Sequence, residues 1–294
     1  MSIVGLERAV LFRLATSGRL ERTVKAVPWA EAAAWRAASR YVAGRGRAQA
    51  LATATTLLEQ GHAVSVDLFG ERLSDPAAAD SVVEDYVELA GALPEPAAGV
   101  WLSVDLSHLA LDTDPSAAAD RLARIAGVLP TGRRLQVGAE DAARSPAILR
   151  CVLDVAARGL ADRLGATVQA NLLRAPADAD ALTEAGVHVR LVKGAYVEAT
   201  GAHPYGEATD MAFLRLGFRL AHSGAKWSMA THDGRLREAL LLAHGRLPVE
   251  QLLGVRPHVL DELHGRGIPT RVYVPYGPDW YRYWLRRVAE SRGA

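Results

Sequence analysis

From residue 63 onward the chain alternates between two patterns. Short apolar runs, rich in β-branched residues and ending in polar ones, are separated by longer stretches whose apolar positions fall at helical spacing. The short runs are AVSVDLFGE at 63–71, VWLSVDLSHLAL at 100–111, RRLQVGAED at 133–141 and ATVQANLLR at 166–174. They continue with the run at 187–192, AKWSMATHD at 225–233 and TRVYVPYG at 270–277. VEQLLGVR, at 249–256, fits either pattern. Between them the spacing predicts helices over 77–93, 115–128, 146–158, 178–185, 211–223, 236–244 and 258–267, and a last one over 279–291.

Strand and helix thus alternate about eight times, at roughly 25 to 40 residues per unit. Parallel strands need crossover helices, so the alternation predicts an α/β fold with a parallel sheet. Eight units suit a closed (βα)8 TIM-type barrel better than an open sheet. Before residue 60 the pattern is helical throughout, through Leu6, Val10 and Leu14, then 29–41, then 48–58. The expectation is an N-terminal helical arm, 1–60, followed by a barrel, 61–294, with no Pro/Ser-rich linker between them.

Composition changes this picture little. With 34 basic and 33 acidic residues the formal net charge is +1, which gives no case for a nucleic-acid partner. The single cysteine, Cys151, excludes an intrachain disulfide framework and a cysteine-built metal site. Histidines are scattered singly, so no metal is expected. Charges interrupt the N-terminus too often for a signal sequence, and no apolar run reaches about 18 residues. A cytoplasmic protein without a transmembrane segment is the expectation.

In a barrel the C-terminal strand ends converge on one mouth, whatever their separation in sequence. The polar residues there are Asp67, Glu71, Asp105, His108, Glu140, Asp141, Gln169 and Asn171, then Arg190, Lys193, Tyr196, Thr231, His232, Asp233, Tyr273 and Tyr276. The fifth run ends in cations, a glycine and an aromatic: Arg190 and Lys193 suit an anionic or electron-rich ligand, Gly194 allows close backbone approach, and Tyr196 offers a flat wall. In the last helix Tyr283, Arg286 or Arg287, and Glu290 share one face. Trp280 and Trp284 form another stripe and read as core. The two arginines suit either a solvated helix end or a bidentate carboxylate clamp. No G-x-S-x-G, P-loop or G-x-G-x-x-G precedes a helix.

RLVKGAY, MATHD, RVYVPYG-DW and Y-x-x-RR-x-x-E occur in the order and spacing of the proline dehydrogenases, with VDLFGE and VQANLLR similar to that family's first- and fourth-strand motifs. The chain resembles this family over about residues 60–292. The resemblance implies a distorted (βα)8 barrel that binds FAD at its mouth, and oxidation of the C–N bond of L-proline or a related cyclic amine or imino acid. Hydride would pass to flavin N5, giving a pyrroline-type imine. It places Arg190 near flavin N5 and Gln169 on the pyrimidine side, with Gly194 and Ala195 in the same cofactor-binding segment. Lys193, Thr231 and His232 fall at the phosphate and ribose region, and Glu290 at the ribitol or adenosine side. Tyr196, Tyr273 and Leu252 would wall the substrate ring, Arg286 and Arg287 pair with its carboxylate, and Tyr283 close the pocket. It further implies a membrane quinone as electron acceptor, met peripherally at the inner membrane face. Alternatives are a flavin-binding relative with a different amine substrate, or one with little activity.

The chain departs from the family pattern at the mouth. Asp105 stands where the second strand carries a lysine that helps bind the carboxylate, and Gly138 where the third ends in aspartate. Asn171 replaces a tyrosine, and Pro248 and Glu250 replace the outer residues of a Glu-aromatic-Gln pattern. A reversed charge at about 4 Å is of order 4 kcal/mol at an effective dielectric near 20, before solvation offsets it. Asp105 therefore either pairs with an arginine or reads a cationic group on the substrate.

Overall fold

The computed structural model describes residues 18–96, 99–196 and 198–291. The helical pattern through Leu6, Val10 and Leu14 lies outside the described residues. Helices α1 (Gly18–Ala26), α2 (Pro28–Ala38) and α3 (Arg47–Glu59) precede the first strand. The strands are β1 (Ala63–Leu68), β2 (Val100–Val104), β3 (Leu135–Val137) and β4 (Leu164–Gln169), then β5 (His188–Val192), β6 (Trp227–Ala230), β7 (Val249–Leu252) and β8 (Thr270–Tyr276). Each pairs in parallel with the next, and β8 returns to β1 to close the barrel. Between and after them run α4 (Pro76–Ala92), α5 (Pro115–Val128), α6 (Ser145–Val155), α7 (Ala175–Glu184), α8 (Glu207–His222), α9 (Gly234–His244), α10 (Pro257–Gly265) and α11 (Trp280–Ser291).

The local chemistry accounts for the element boundaries. Asp75 accepts from the Ala77 amide at 3.0 Å and Asp114 from those of Ser116 and Ala117, so each caps a helix whose first residue is proline. The ambiguous VEQLLGVR run forms β7. Two helices start earlier than their apolar spacing implies, α7 at Ala175 and α8 at Glu207, because their first turns are polar or proline-bearing. The helix expected over 146–158 ends at Val155, where the chain widens through Ala156–Leu160 and Gly159 takes φ +86°. That value favours glycine.

Alternation along the strands separates two interiors. Outward residues such as Val64, Val66, Val100, Leu102 and Val189 join the helices' Val83, Leu122 and Phe213 in the main core. The barrel axis is polar instead of filled with branched aliphatics. Trp101 on β2 meets His188 on β5 across the barrel at 4.9 Å, and Arg190 on β5 reaches Glu250 on β7. Buried polar groups of this kind persist only when hydrogen-bonded or used by a ligand.

Helix α3 packs against β1 and β8, with Ala50 and Ala54 in the main core. A second apolar cluster joins the arm to the last helix: Ala38 and Val42 pack with Phe69, Trp280, Tyr281, Tyr283 and Leu285. Trp35 meets Trp280 edge-on at 5.1 Å, and the Arg45 guanidinium lies 4.5 Å from the Trp35 ring centre. Glu21 accepts from Lys25 and Arg282, both at 2.8 Å, tying α1 to α11. The tryptophan stripe is core, as its spacing implies. Trp280→Ala is expected to lower unfolding free energy by about 3–5 kcal/mol, the usual cost of deleting a buried large aromatic. Denaturant unfolding monitored by circular dichroism checks this; a loss under about 1 kcal/mol would show that α11 is held without the cluster.

Candidate active site at the barrel mouth

Arg190 is a buried cation of the barrel, held along one edge. Its Nε donates to Glu250 Oε2 at 2.7 Å, and Ser228, from the strand between them, donates to Glu250 Oε1 at 2.5 Å. Burial pushes the Glu250 carboxyl up, but the charges of Arg190 and Arg271 outweigh it and hold the group below its ordinary range. The pair leaves Arg190 Nη2 buried with no partner. Glu250, a departure from the family pattern, is therefore what orients the arginine.

Asp67 lies on β1, with both its oxygens engaged. Tyr86 donates to Oδ1 at 3.0 Å and Tyr273 to Oδ2. Burial raises the Asp67 pKa to about 6, against those hydrogen bonds and the charge of Arg190. Tyr273 is thus fixed through its hydroxyl and presents its ring to the mouth. Neither Asp67 nor Tyr86 was assigned a role from sequence, although the inward period of AVSVDL marks Asp67 as a buried charge that needs partners.

Tyr283 on α11 lies 6.1 Å from Tyr273 and 5.1 Å from Phe69, ring centre to ring centre. The Arg287 guanidinium lies 4.9 Å from the Tyr283 ring. Leu252 pairs with Tyr273 in the β7–β8 register. The structure therefore brings Tyr273, Tyr283, Leu252 and Arg287 to one mouth. Tyr196 and Ala195 follow β5 on the same rim, half-buried. The side chains of Arg286 and Glu290 lie outside the described residues, though both positions belong to α11.

Among the expected cofactor residues, Gln169 is buried and donates through Nε2 to the Glu140 carbonyl at 2.7 Å. His232 accepts a long hydrogen bond from the Leu252 amide at Nε2, 3.4 Å, so the proton of the neutral ring sits on Nδ1. Burial, reinforced by the charges of Arg287, Arg256 and Arg237, lowers its pKa to about 4 and keeps it neutral. Its Nδ1 is buried without a partner. Thr231 Oγ1 accepts from the Asp233 amide at 3.1 Å. Lys193 is not an open cation: it pairs with Asp210 at 2.5 Å and Asp233 at 3.4 Å, and burial is outweighed by Asp210 so that its pKa rises. Gly194 takes φ +105°, and a Cβ there would meet Asn171 Oδ1 at 1.9 Å, so this turn needs glycine. Two buried donors, Arg190 Nη2 and His232 Nδ1, await acceptors at positions the resemblance gives to FAD. A ring system rich in nitrogen and oxygen acceptors fits them.

The departures at Asp105 and Gly138 form one packing event. A Cβ at Gly138 would come within 1.9 Å of Asp105 Oδ1, so the Asp105 carboxylate occupies the space over the third strand's end. Loss of one side chain makes room for the other. Gly138→Ala is expected to cost about 1–3 kcal/mol of stability by overpacking. In an Asp105→Ala background the same change should cost well under about 1 kcal/mol, since contacting residues couple in a double-mutant cycle. Additive effects in denaturant unfolding would separate the two positions.

Known proteins resemble this chain in sequence and in fold. A sequence model described as proline dehydrogenase matches residues 50–294. The proline dehydrogenase of Deinococcus radiodurans is 30% identical over 269 residues, covering 87% of each chain. Proline dehydrogenase 1 of Bacillus subtilis is 31% identical over 269 residues, covering 86% of each. Among solved structures, proline utilization A of Bdellovibrio bacteriovorus, inactivated by N-propargylglycine, superposes with a TM-score of 0.81 at 18% identity. That alignment covers 98% of this chain and 37% of the other. A variant of proline utilization A from Bradyrhizobium japonicum gives 0.72 at 23% identity, over 94% and 33%. The chain spans about a third of the length of these two, and their likeness concerns the barrel fold. With the family model covering most of the chain and full-length relatives at this identity, the chain belongs to the proline dehydrogenase family.

Proposed function

We propose that this chain is an FAD-dependent oxidoreductase acting on the CH–NH group of L-proline or a related cyclic amine or imino acid. The observation that carries the reading is the pair of buried, unpartnered donors, Arg190 Nη2 and His232 Nδ1, at family cofactor positions. Arg190, Gln169, His232, Thr231 and the Gly194–Ala195 turn would hold the cofactor, with Lys193 and Glu290 beside it. Bound FAD supplies the acceptor for the two electrons released when the C–N bond becomes an imine.

The chain's own residues then have separable tasks. Tyr273, fixed by Asp67, faces the substrate ring with Leu252 and Tyr196, and Tyr283 closes the mouth over it. These rings exclude water and restrict orientation. Arg287, with Arg286, pairs with the substrate carboxylate, for which the planar guanidinium is the suited geometry. Helices α1 and α2 hold α11 over the mouth. In this reading electrons leave to a membrane quinone met peripherally from a cytoplasmic position. Among the described residues no helix is long and apolar enough to cross a membrane.

One observation favours a second substrate class. Asp105 puts a carboxylate where the family carries a lysine, and the aspartate missing at Gly138 offsets only part of that change, so the mouth is about one unit more negative. Such a mouth suits a substrate with an additional cationic group.

Mixing FAD-loaded protein anaerobically with L-proline is expected to bleach the flavin absorbance. A panel of cyclic amines and diamino acids tests the second class; faster bleaching by a cationic analogue would select it. Arg287→Lys should keep flavin content and lose about 2–4 kcal/mol in kcat/KM, since removing a bidentate partner from a desolvated charge costs that much. Unbleached flavin across the panel would defeat the reading, and unchanged kinetics would return Arg287 to a solvated role.

A further inference from the structure

At the opposite end of the barrel, where the strands begin, lies a cavity of about 500 Å³ that the proposed reaction does not use. Trp101, His188, Arg134 and Arg271 line it, with Leu247 and Pro248 among its apolar walls. The Trp101 ring has two guanidiniums near it, Arg271 at 3.6 Å and Arg134 at 5.0 Å from the ring centre. Among the described residues neither arginine forms an ion pair, and the hydrogen bonds of Arg271 to the Val64 and Gly99 carbonyls run through Nη1 alone.

The charge balance at this foot is positive. Glu250 also lines the cavity, but its carboxylate is committed to Arg190 and Ser228. His188 is buried and contacts Ser228 through Nε2 at 3.1 Å. Burial, against the pull of Glu250, lowers its pKa to about 3, so it adds no charge at neutral pH. Burial likewise depresses Arg271 to about 9. A guanidinium kept 8% exposed, whose counter-charge Glu250 is shared with Arg190 and not in ion-pair contact with it, is costly. The second sign of a missing ligand is Trp101, 6% exposed, whose indole Nε1 is buried and without an acceptor. An anion with oxygen acceptors would answer all three groups, and the apolar walls suit a short hydrocarbon body.

We infer that the barrel foot is a second ligand site, taking an organic anion whose carboxylate or phosphate head meets Arg134, Arg271 and the Trp101 indole, with its apolar body against Leu247 and Pro248. The site lies below the Arg190–Glu250 pair, on the far side from the mouth.

Isothermal titration of the full-length protein with hexanoate and with hexyl phosphate, at fixed ionic strength, tests this. At least one probe is expected to bind at about one site per chain. Tighter binding of hexanoate would identify a carboxylate ligand, and tighter binding of hexyl phosphate a phosphate one. Arg134→Gln, outside the catalytic and cofactor machinery, should weaken binding about tenfold or more, the worth of one charge-assisted hydrogen bond. Trp101→Phe, which keeps the ring and deletes the indole N–H, should also weaken it. Absence of binding by either probe would overturn the proposal. Binding that both variants leave unchanged would overturn it too, by placing the anion elsewhere, such as at the mouth arginines.

Discussion

The salt bridge between Arg190 and Glu250 is the interaction on which the barrel's interior depends. Both residues are inside a closed sheet, where an unpaired charge costs several kcal/mol. Glu250 resolves this for Arg190 at one nitrogen only, and Ser228 completes the carboxylate's shell. What is left over, Arg190 Nη2, faces no partner in the protein. A structure that commits one edge of a guanidinium and leaves the other unsatisfied has fixed the direction from which a ligand can meet it. The same carboxylate lines the cavity at the barrel foot, so the pair links the mouth to it.

The mouth is completed from both ends of the chain. Helix α11 carries Tyr283 and Arg287 over the strand ends, and α1 and α2 hold α11 through Trp35, Trp280 and the Glu21–Arg282 pair. The mouth aromatic Tyr273 gains its orientation from a buried partner, Asp67, and Asp67 in turn from Tyr86. Positioning at the mouth therefore rests on groups buried behind it. The departures from the family pattern fall at both ends of the barrel: Asp105 fills the space over Gly138 and Asn171 packs on Gly194 at the rim, while Pro248 and Glu250, which holds Arg190, line the foot.

Much of this was legible in the sequence because a barrel's periods are local. Alternation in AVSVDL and HVRLV marks strands, and the spacing of α4 or α5 marks helices, without reference to any partner. VEQL resisted because a four-residue strand carrying Glu250 and Gln251 has too few apolar positions to show a period. Partnerships were less legible. Lys193 reads as an open cation until Asp210, seventeen positions on in another element, is seen to pair with it. Asp105 and Gly138 read as independent departures, since strand-to-strand packing leaves no mark on spacing. The arm shows an apolar face in sequence but not that its counterpart is the last helix, 261 residues away at Glu21 and Arg282.

On the proposed reading, Glu250 acts on the cofactor through Arg190. A double-mutant cycle with Arg190→Gln, Glu250→Gln and the pair, reading the FAD dissociation constant, measures it most directly. The account predicts that each single change weakens FAD binding and that the double change is no worse than the Arg190 variant alone, a coupling of about 1–3 kcal/mol. Additive losses would show that Glu250 and Arg190 serve the cofactor independently, and would contradict it.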